Sequence, residues 1–115
     1  MIMLRPDLQD CTSPKFAPGD LVRHVRYLYR GVVVAHDPKC SADENWYKSN
    51  KTQPKRDQPW YHVLVHESAS ITYPAESSLE PDDSGEPIVH PMLDQFFSGF
   101  EGAQYIRNDI PWPKP

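Results

Sequence analysis

The stretch that decides the fold is Asp57-Gln58-Pro59-Trp60-Tyr61-His62-Val63-Leu64-Val65. Aromatic and β-branched residues dominate it, as they do in half-buried β-strands. At a period of two residues, one strand face carries Tyr61, Val63 and Val65. The opposite face carries Trp60, His62 and Leu64. Because both faces bear large side chains, the strand is expected to need cover on both sides.

The overall composition is typical of one small globular domain. The chain has 115 residues, 38% of them hydrophobic and 24% charged, which disfavours a disordered polar chain. Its 13 prolines are roughly twice the usual share, so short strands and turns are favoured over long helices. No window approaches a membrane span, and the apolar start is too short for a signal sequence. We therefore expect a cytoplasmic protein without membrane contact, with Cys11 and Cys40 reduced.

Charge is distributed unevenly along the chain. Residues 15–56 contain nine Lys/Arg and four Asp/Glu, whereas residues 57–115 contain two and ten, respectively. The basic and acidic halves could form a dipolar binding surface, or they could pair with each other in the fold. The sequence leaves both arrangements open.

Three further strands are predicted from apolar runs bounded by turn residues. They are Leu21–Val25, Gly31–His36 and Ile71–Tyr73. The first two are close enough in sequence to pair as an antiparallel hairpin. Pro74 stops the last strand or places it at an edge, which would stay open. Since a small sheet of four or five strands usually curls to protect its edges, the expected fold is mostly β, a small SH3-like barrel.

Helix is expected in short pieces. Ser41 and Glu44 form a capping box that predicts one short inserted helix to about Asn50, and residues 75–79 can make a single turn. Residues 80–87 are expected to be an acidic loop. A C-terminal helical flap over the Trp60/Leu64 face is predicted from the helical spacing of Met92, Leu93, Phe96 and Phe97. The predicted organisation is a flexible N-terminal arm (1–14), a barrel domain (15–108) and a frayed Pro-rich tail (109–115).

Patterns for catalysis or metal binding are weak. His62 and His66 would share a strand face, but about 13 Å apart. No CxxC zinc spacing and no Gly-rich phosphate loop occur. Cys40, near a predicted helix N-terminus, is the candidate nucleophile of an alternative enzymatic reading, but no catalytic signature surrounds it. We expect no enzyme activity, no metal and no cofactor.

Basic and aromatic residues around the first hairpin turn form the candidate nucleic-acid-binding site. Arginine forks suit phosphates, and tyrosines can stack on bases. The candidates are Arg23, Arg26, Tyr27, Tyr29, Arg30, Lys48, Lys51, Lys55 and Arg56. The whole chain is acidic, with a net charge of −4, whereas strong non-specific DNA binders are basic, so a solvated face also fits. Protein recognition through exposed aromatics and the acidic loop is the other open class.

Several motifs follow one another in a specific order. They are Phe16-x-x-Gly19-x-x-Val22-Arg23-His24, Tyr29-Arg30-Gly31-Val32-Val33, Asp37-Pro38-x-Cys40, Glu44-x-Trp46-Tyr47, the stretch 57–65, Tyr73-x-Ala75-Glu76-x-x-Leu79-Glu80-Pro81 and His90-Pro91. Over roughly residues 15–108 this succession resembles the YccV-like, or HspQ, hemimethylated-DNA-binding domain family. Its middle helix and tail are more similar to the domain in some F-box proteins and plastid protease adaptors than to the shortest bacterial HspQ. The chain departs from relatives at Ala35-His36, where they often have Gly-Trp, and at Pro74 and Ser77-Ser78, where they often have other residues.

The resemblance implies an SH3-like barrel and two functions of different class. One is DNA binding with a preference for hemimethylated duplex. The other is an adaptor or specificity factor for an ATP-dependent protease, with a protease or chaperone as partner. The resemblance supplies no set of binding residues, so the candidates above depend on charge and position. The open edge near Pro74 or the Phe96/Phe97 flap could also serve a homo-oligomer, and the oligomeric state stays open.

Overall fold

The structure is a computed structural model that describes residues 14–38, 46, 48 and 56–113. These residues form seven strands: β1 (Leu21–His24), β2 (Arg30–Asp37), β3 (Trp60–Val65), β4 (Ile71–Thr72), β5 (Leu79–Pro81), β6 (Phe97–Glu101) and β7 (Gln104–Arg107). A 3₁₀ turn, η1, spans Glu76–Ser78, and a one-turn helix, α1, spans Leu93–Phe96. Trp46 and Lys48 are helical, and the remainder of the helix predicted from Ser41 lies outside the described residues. The mostly β prediction is confirmed.

Five strands form one antiparallel sheet in the order β4-β3-β2-β1-β5. The predicted hairpin is confirmed, because β1 and β2 pair with Leu21 opposite Val32. The predicted acidic loop 80–87 is wrong at its start, because Glu80 and Pro81 belong to β5, which pairs with β1. Apolar periodicity does not reveal β5, since it has three residues and ends in a proline at the sheet edge.

The sheet is open across the part of the chain that the structure describes, so the predicted closed barrel is not observed. β4 and β5 are its two edges, although they follow one another in sequence. The segment between them contains η1 and returns to β3 through an isolated bridge between Trp60 and Ala75. The edges are short, with two and three residues, respectively, which limits the backbone they expose.

The core covers β3 on both faces, as its sequence predicted. Tyr61 and Val63 pack in one buried cluster with Phe16, Val22, Val33 and Leu79. Leu64 packs on the opposite face with Leu21, Val32 and Val34, under Ile88, Phe96 and Phe97. Trp60 lies against Trp46 of the helical segment, with 6.1 Å between ring centroids. Val65 is half-buried at the strand end.

The prediction of a C-terminal helical flap is wrong beyond one turn. Phe97 starts β6 instead of continuing α1, and β6 and β7 form a two-stranded antiparallel sheet. The strands are joined at Gly102 and Ala103, whose φ angles of 60° and 61° are those of a type I′ hairpin turn. Four apolar residues at helical spacing cannot reveal this switch, since a short apolar run fits either structure.

The C-terminal hairpin docks on the sheet through the turn before β1. Gly19 donates its N–H to the Val33 carbonyl and accepts the Tyr105 N–H, at 2.7 and 2.9 Å. A Cβ at Gly19 would lie 2.1 Å from the Tyr105 carbonyl oxygen. In the tail predicted to be frayed, Trp112 packs against Phe96, with 5.2 Å between ring centroids. Across the described residues, no helix is long and apolar enough to cross a membrane.

Candidate nucleic-acid interface

The β1–β2 loop, residues 25–29, presents the most exposed of the predicted binding residues. Arg26 is exposed, Tyr27 is 51% exposed, and the Arg26 guanidinium lies 5.7 Å from the centre of the Tyr27 ring. Leu28 is 63% exposed and has a φ of +65°, a left-handed conformation that is unfavourable for a branched side chain. The loop therefore offers a cation, an aromatic ring and an apolar tip to solvent.

His24, the last residue of β1, holds the shape of this loop. Its Nδ1 atom accepts the backbone N–H groups of Arg26 and Tyr27, each at 3.1 Å. Its ring lies 4.7 Å from the Tyr27 ring and 5.2 Å from the Tyr29 ring, between centroids. Its carbonyl accepts the Leu28 N–H at 2.9 Å. Burial, and then the nearby Arg26 charge, lower the pKa of His24, so the neutral imidazole that can accept these bonds is favoured.

Two of the predicted arginines lie opposite each other and are neutralised by the acidic half of the chain. Arg23 on β1 is the register partner of Arg30 on β2, an arrangement that is destabilising for like charges. Arg23 Nε donates to the Glu80 carboxylate of β5 at 2.7 Å. Arg30 Nε donates to Asp82 at 2.7 Å, and its Nη2 donates to the Glu86 carbonyl at 2.6 Å. In these two ion pairs, arginines from the basic half of the sequence are bound by carboxylates from the acidic half.

The two ion pairs differ in burial. The side chains of Arg23 and Glu80 are 48% and 36% exposed, whereas those of Arg30 and Asp82 are 21% and 6% exposed. Burial alone would raise the pKa of Asp82, but hydrogen bonds from Arg30 and Ser84 and the Arg30 charge lower it overall. The Arg30–Asp82 pair is thus part of the fold, while Arg23 stays accessible from solvent.

The other predicted residues lie at varied depths. Tyr29 is half-buried, and its hydroxyl pairs with the Thr72 hydroxyl at 2.7 Å, which joins the loop to β4. Lys48 is exposed on the helical segment, and Arg56 is half-buried before β3. Lys51 and Lys55 lie outside the described residues, as does Cys40. The residues that the structure brings together are therefore Arg23, Arg26, Tyr27, Tyr29 and Arg30.

Sequence reasoning assigned His24 to a strand and missed its organising role. The available signal was its position. A side chain with a hydrogen-bond acceptor, placed just before a turn, can accept the backbone N–H groups of the residues two and three positions later. For metals, the described residues contain no group of three or more His, Cys, Asp or Glu placed to hold an ion. The candidate interface on the β1–β2 loop offers a cation, an aromatic ring and an apolar side chain.

Most of the chain matches the sequence model of one protein family. Residues 14–104 match the family described as "Hemimethylated DNA-binding protein YccV like". This range includes β1 to β6 and the whole β1–β2 loop.

Three relatives that share this region are F-box only protein 21 from different mammals. F-box only protein 21 from Homo sapiens is 33% identical over 96 residues, which is 81% of this chain and 15% of that protein. The proteins of the same name from Pongo abelii and Mus musculus match with the same identity and coverage. The chain thus spans about one seventh of the length of these relatives.

Proposed function

Because the chain belongs to the YccV-like family, we propose that it is a non-enzymatic DNA-binding module that prefers hemimethylated duplex. The observation that carries the proposal is the family match over residues 14–104. It supports DNA as the class of partner. The preference for hemimethylated DNA and the position of the interface are our inferences. We also infer a cytoplasmic location, in which the two cysteines would be reduced.

The β1–β2 loop is the proposed centre of the interface. Among the described residues, Arg26 has no carboxylate partner, and its contact is with the Tyr27 ring. An exposed guanidinium can donate to a phosphate, and an exposed tyrosine can stack on a base or pack against a sugar. Because two hydrogen bonds to His24 fix the backbone of both residues, little ordering would be needed on binding.

Arg23 and Arg30 contribute less in this proposal than charge alone would suggest. A phosphate would have to replace Glu80 at Arg23, which is feasible because that pair is solvent-exposed. Arg30 is held by Asp82 and by the Glu86 carbonyl, so its role is to fix the loop's start. Tyr29, at the end of the loop, remains a candidate, as do Lys48, Lys51, Lys55 and Arg56 on the basis of their charge.

The decisive experiment is a titration of labelled duplexes that share one sequence and differ in methylation. The three probes are hemimethylated, fully methylated and unmethylated DNA, each measured by fluorescence anisotropy over several salt concentrations. We expect the tightest binding to hemimethylated duplex. Arg26→Ala should weaken binding and reduce the salt slope by about one. Tyr27→Ala should weaken binding without changing the slope.

Lys15→Ala is the matched control for charge. Its side chain is exposed and lies over the Phe16 ring, and it is not part of the β1–β2 loop. The substitution removes the same charge as Arg26→Ala and should leave the salt slope unchanged. If no duplex binds at low salt, DNA binding is excluded. If Lys15→Ala and Arg26→Ala weaken binding equally, the loop is not the interface.

A second candidate function is that of a protein-binding adaptor for an ATP-dependent protease. It is favoured by the F-box relatives, in which the matching region is 15% of a longer protein. Val89 and Ile71 are 64% and 42% exposed, and their segments are joined by a hydrogen bond between His90 and the Ser70 carbonyl. These apolar side chains are also available for a homo-oligomer. Recovery of a protease or chaperone from nuclease-treated lysate, without DNA binding in the titration, would favour this function.

We further propose that the sheet is an SH3-like barrel in solution. In support, β4 and β5 are consecutive in sequence, lie at opposite edges and are connected through η1. Backbone NOEs between β4 and β5 would support closure. Hydrogen exchange as fast as in a free edge on both strands would contradict it.

A further inference from the structure

We propose that His24 is a positioning residue for DNA binding: its neutral imidazole holds the β1–β2 loop in shape and releases it when protonated. This inference rests on the proposed function, because it concerns the loop that presents Arg26 and Tyr27. It assigns a role to a residue that does not itself need to touch DNA.

The hydrogen bonds determine which form of the ring is required. Backbone N–H groups can only donate, so Nδ1 must carry a lone pair to accept those of Arg26 and Tyr27. The neutral tautomer with a proton on Nε2 satisfies both. Protonation places a hydrogen on Nδ1, so that the N–H groups of Arg26 and Tyr27 then face another donor instead of an acceptor. A ring flip gives no relief, because it replaces Nδ1 with a carbon.

The surroundings oppose the charged form as well. His24 is 5% exposed, and the groups that face it from the loop are Arg26, Tyr27 and Tyr29. Opposite it on β5 is the apolar Leu79. Arg23 and Glu80 are one register position away, on the other face of the alternating strand. Among the described neighbours, therefore, none provides a carboxylate that would stabilise a protonated His24, and the Arg26 charge repels the imidazolium.

As a consequence, protonation of His24 should weaken DNA binding in acid, whereas the overall increase in positive charge should strengthen it. Acid makes the whole protein more positive, which by itself strengthens DNA binding. Release of the loop weakens binding, because Arg26 and Tyr27 must then be ordered by the DNA. A loss worth about one net hydrogen bond corresponds to roughly a fivefold to tenfold loss of affinity. This contribution should increase as the pH falls below about 6.5.

His24→Asn is the variant that isolates the effect. An Asn side-chain oxygen accepts N–H groups two and three residues ahead, as in an Asx-turn, and does not titrate. His24→Ala removes the acceptor. We expect wild type and His24→Asn to bind duplex equally at pH 8, and wild type to become about fivefold weaker than His24→Asn by pH 4.5. His24→Ala should be weak at every pH.

A measurement on the free protein tests the loop separately from DNA. ¹⁵N NMR of the imidazole should show an unprotonated Nδ1 at pH 7.5, and ¹⁵N relaxation of the Arg26 and Tyr27 amides should show increased motion in acid. His24→Asn should keep both amides rigid. A protonated Nδ1 at pH 7.5, or a constant ratio of wild-type to His24→Asn affinity, would overturn the inference. Absence of binding by all variants, with the NMR result as expected, would instead reject DNA binding and retain the loop mechanism.

Discussion

The two ion pairs that join the basic and acidic halves should differ in their effect on stability. Arg30→Met removes the guanidinium but keeps an unbranched apolar stem, and it leaves Asp82, 6% exposed, without its cation. Breaking a fully buried pair costs about 3–5 kcal/mol. Because Asp82 retains hydrogen bonds from the Ser84 N–H and hydroxyl, we expect the free energy of unfolding to fall by about 2–3 kcal/mol.

Arg23→Met is the matched control on the opposite strand. Its pair with Glu80 is 48% and 36% exposed, and exposed pairs contribute about 0.2–1 kcal/mol. Urea denaturation, followed by tryptophan fluorescence and far-UV circular dichroism, measures both variants at pH 7. The m-values should equal that of wild type, so that midpoint shifts report stability. For a domain of this size the larger loss corresponds to a melting temperature about 10 °C or more lower.

The acid dependence of the two variants tests the same reasoning. The folded-state pKa of Asp82 is lowered, so its contribution is present above the unfolded value near 3.8 and is lost as the pH falls through the folded value. The difference between wild type and Arg30→Met should hold from pH 7 to about 4 and shrink in stronger acid. Equal losses for Arg30→Met and Arg23→Met would refute the argument that burial determines the contribution of each pair.

Three further substitutions or conditions test the fold around the loop and the hairpin. Gly19→Ala should lower the free energy of unfolding by about 3 kcal/mol, because its Cβ would overlap the Tyr105 carbonyl and the φ of Gly19 is left-handed. Gly102→Ala is the control, because its Cβ meets nothing within 4 Å, and it should cost about 1 kcal/mol. Urea denaturation measures both variants. Tyr61→Phe should cost about 1–3 kcal/mol in the same assay, since the hydroxyl accepts two backbone N–H groups. For His24, whose pKa is lowered, the stabilising contribution is full above pH 6.5 and decreases as the pH falls, so thermal melts of wild type should lose more stability in acid than those of His24→Asn.

The core of the fold was predictable from the sequence because local patterns carry it. The period-two alternation from Trp60 to Leu64 predicted which side chains lie on each face of β3. The short separation between the first two apolar runs, Leu21–Val25 and Gly31–His36, predicted the hairpin of β1 and β2. The helical turn predicted from residue 75 is present as η1 at Glu76–Ser78. Each of these features depends on residues close together in the chain, where periodicity and turn chemistry are informative.

The features that sequence reasoning missed depend on long-range pairing. β5 exists because Leu79–Pro81 lies beside β1, some 57 residues earlier in sequence. β6 and β7 form because Gly102 and Ala103 turn the chain and Gly19 admits Tyr105. Likewise, the candidate arginines were identifiable, but their ion pairs were not, since the register that places Arg23 opposite both Arg30 and Glu80 is a tertiary property.

The ion pairs change how an acidic chain could bind DNA. Glu80 and Asp82 neutralise the cross-strand arginines, so Arg23 and Arg30 contribute little to a long-range positive potential. In the proposed interface, recognition would then depend on groups that DNA can reach directly, chiefly the Arg26 guanidinium, the Tyr27 ring and the exposed Leu28. Such an interface should have a shallow salt dependence and a large contribution from stacking and shape. It also needs a rigid loop, because with few charge contacts the cost of ordering a mobile segment would exceed the gain. The neutral imidazole of His24 supplies that rigidity, which connects the structure of the loop to the pH at which it can work.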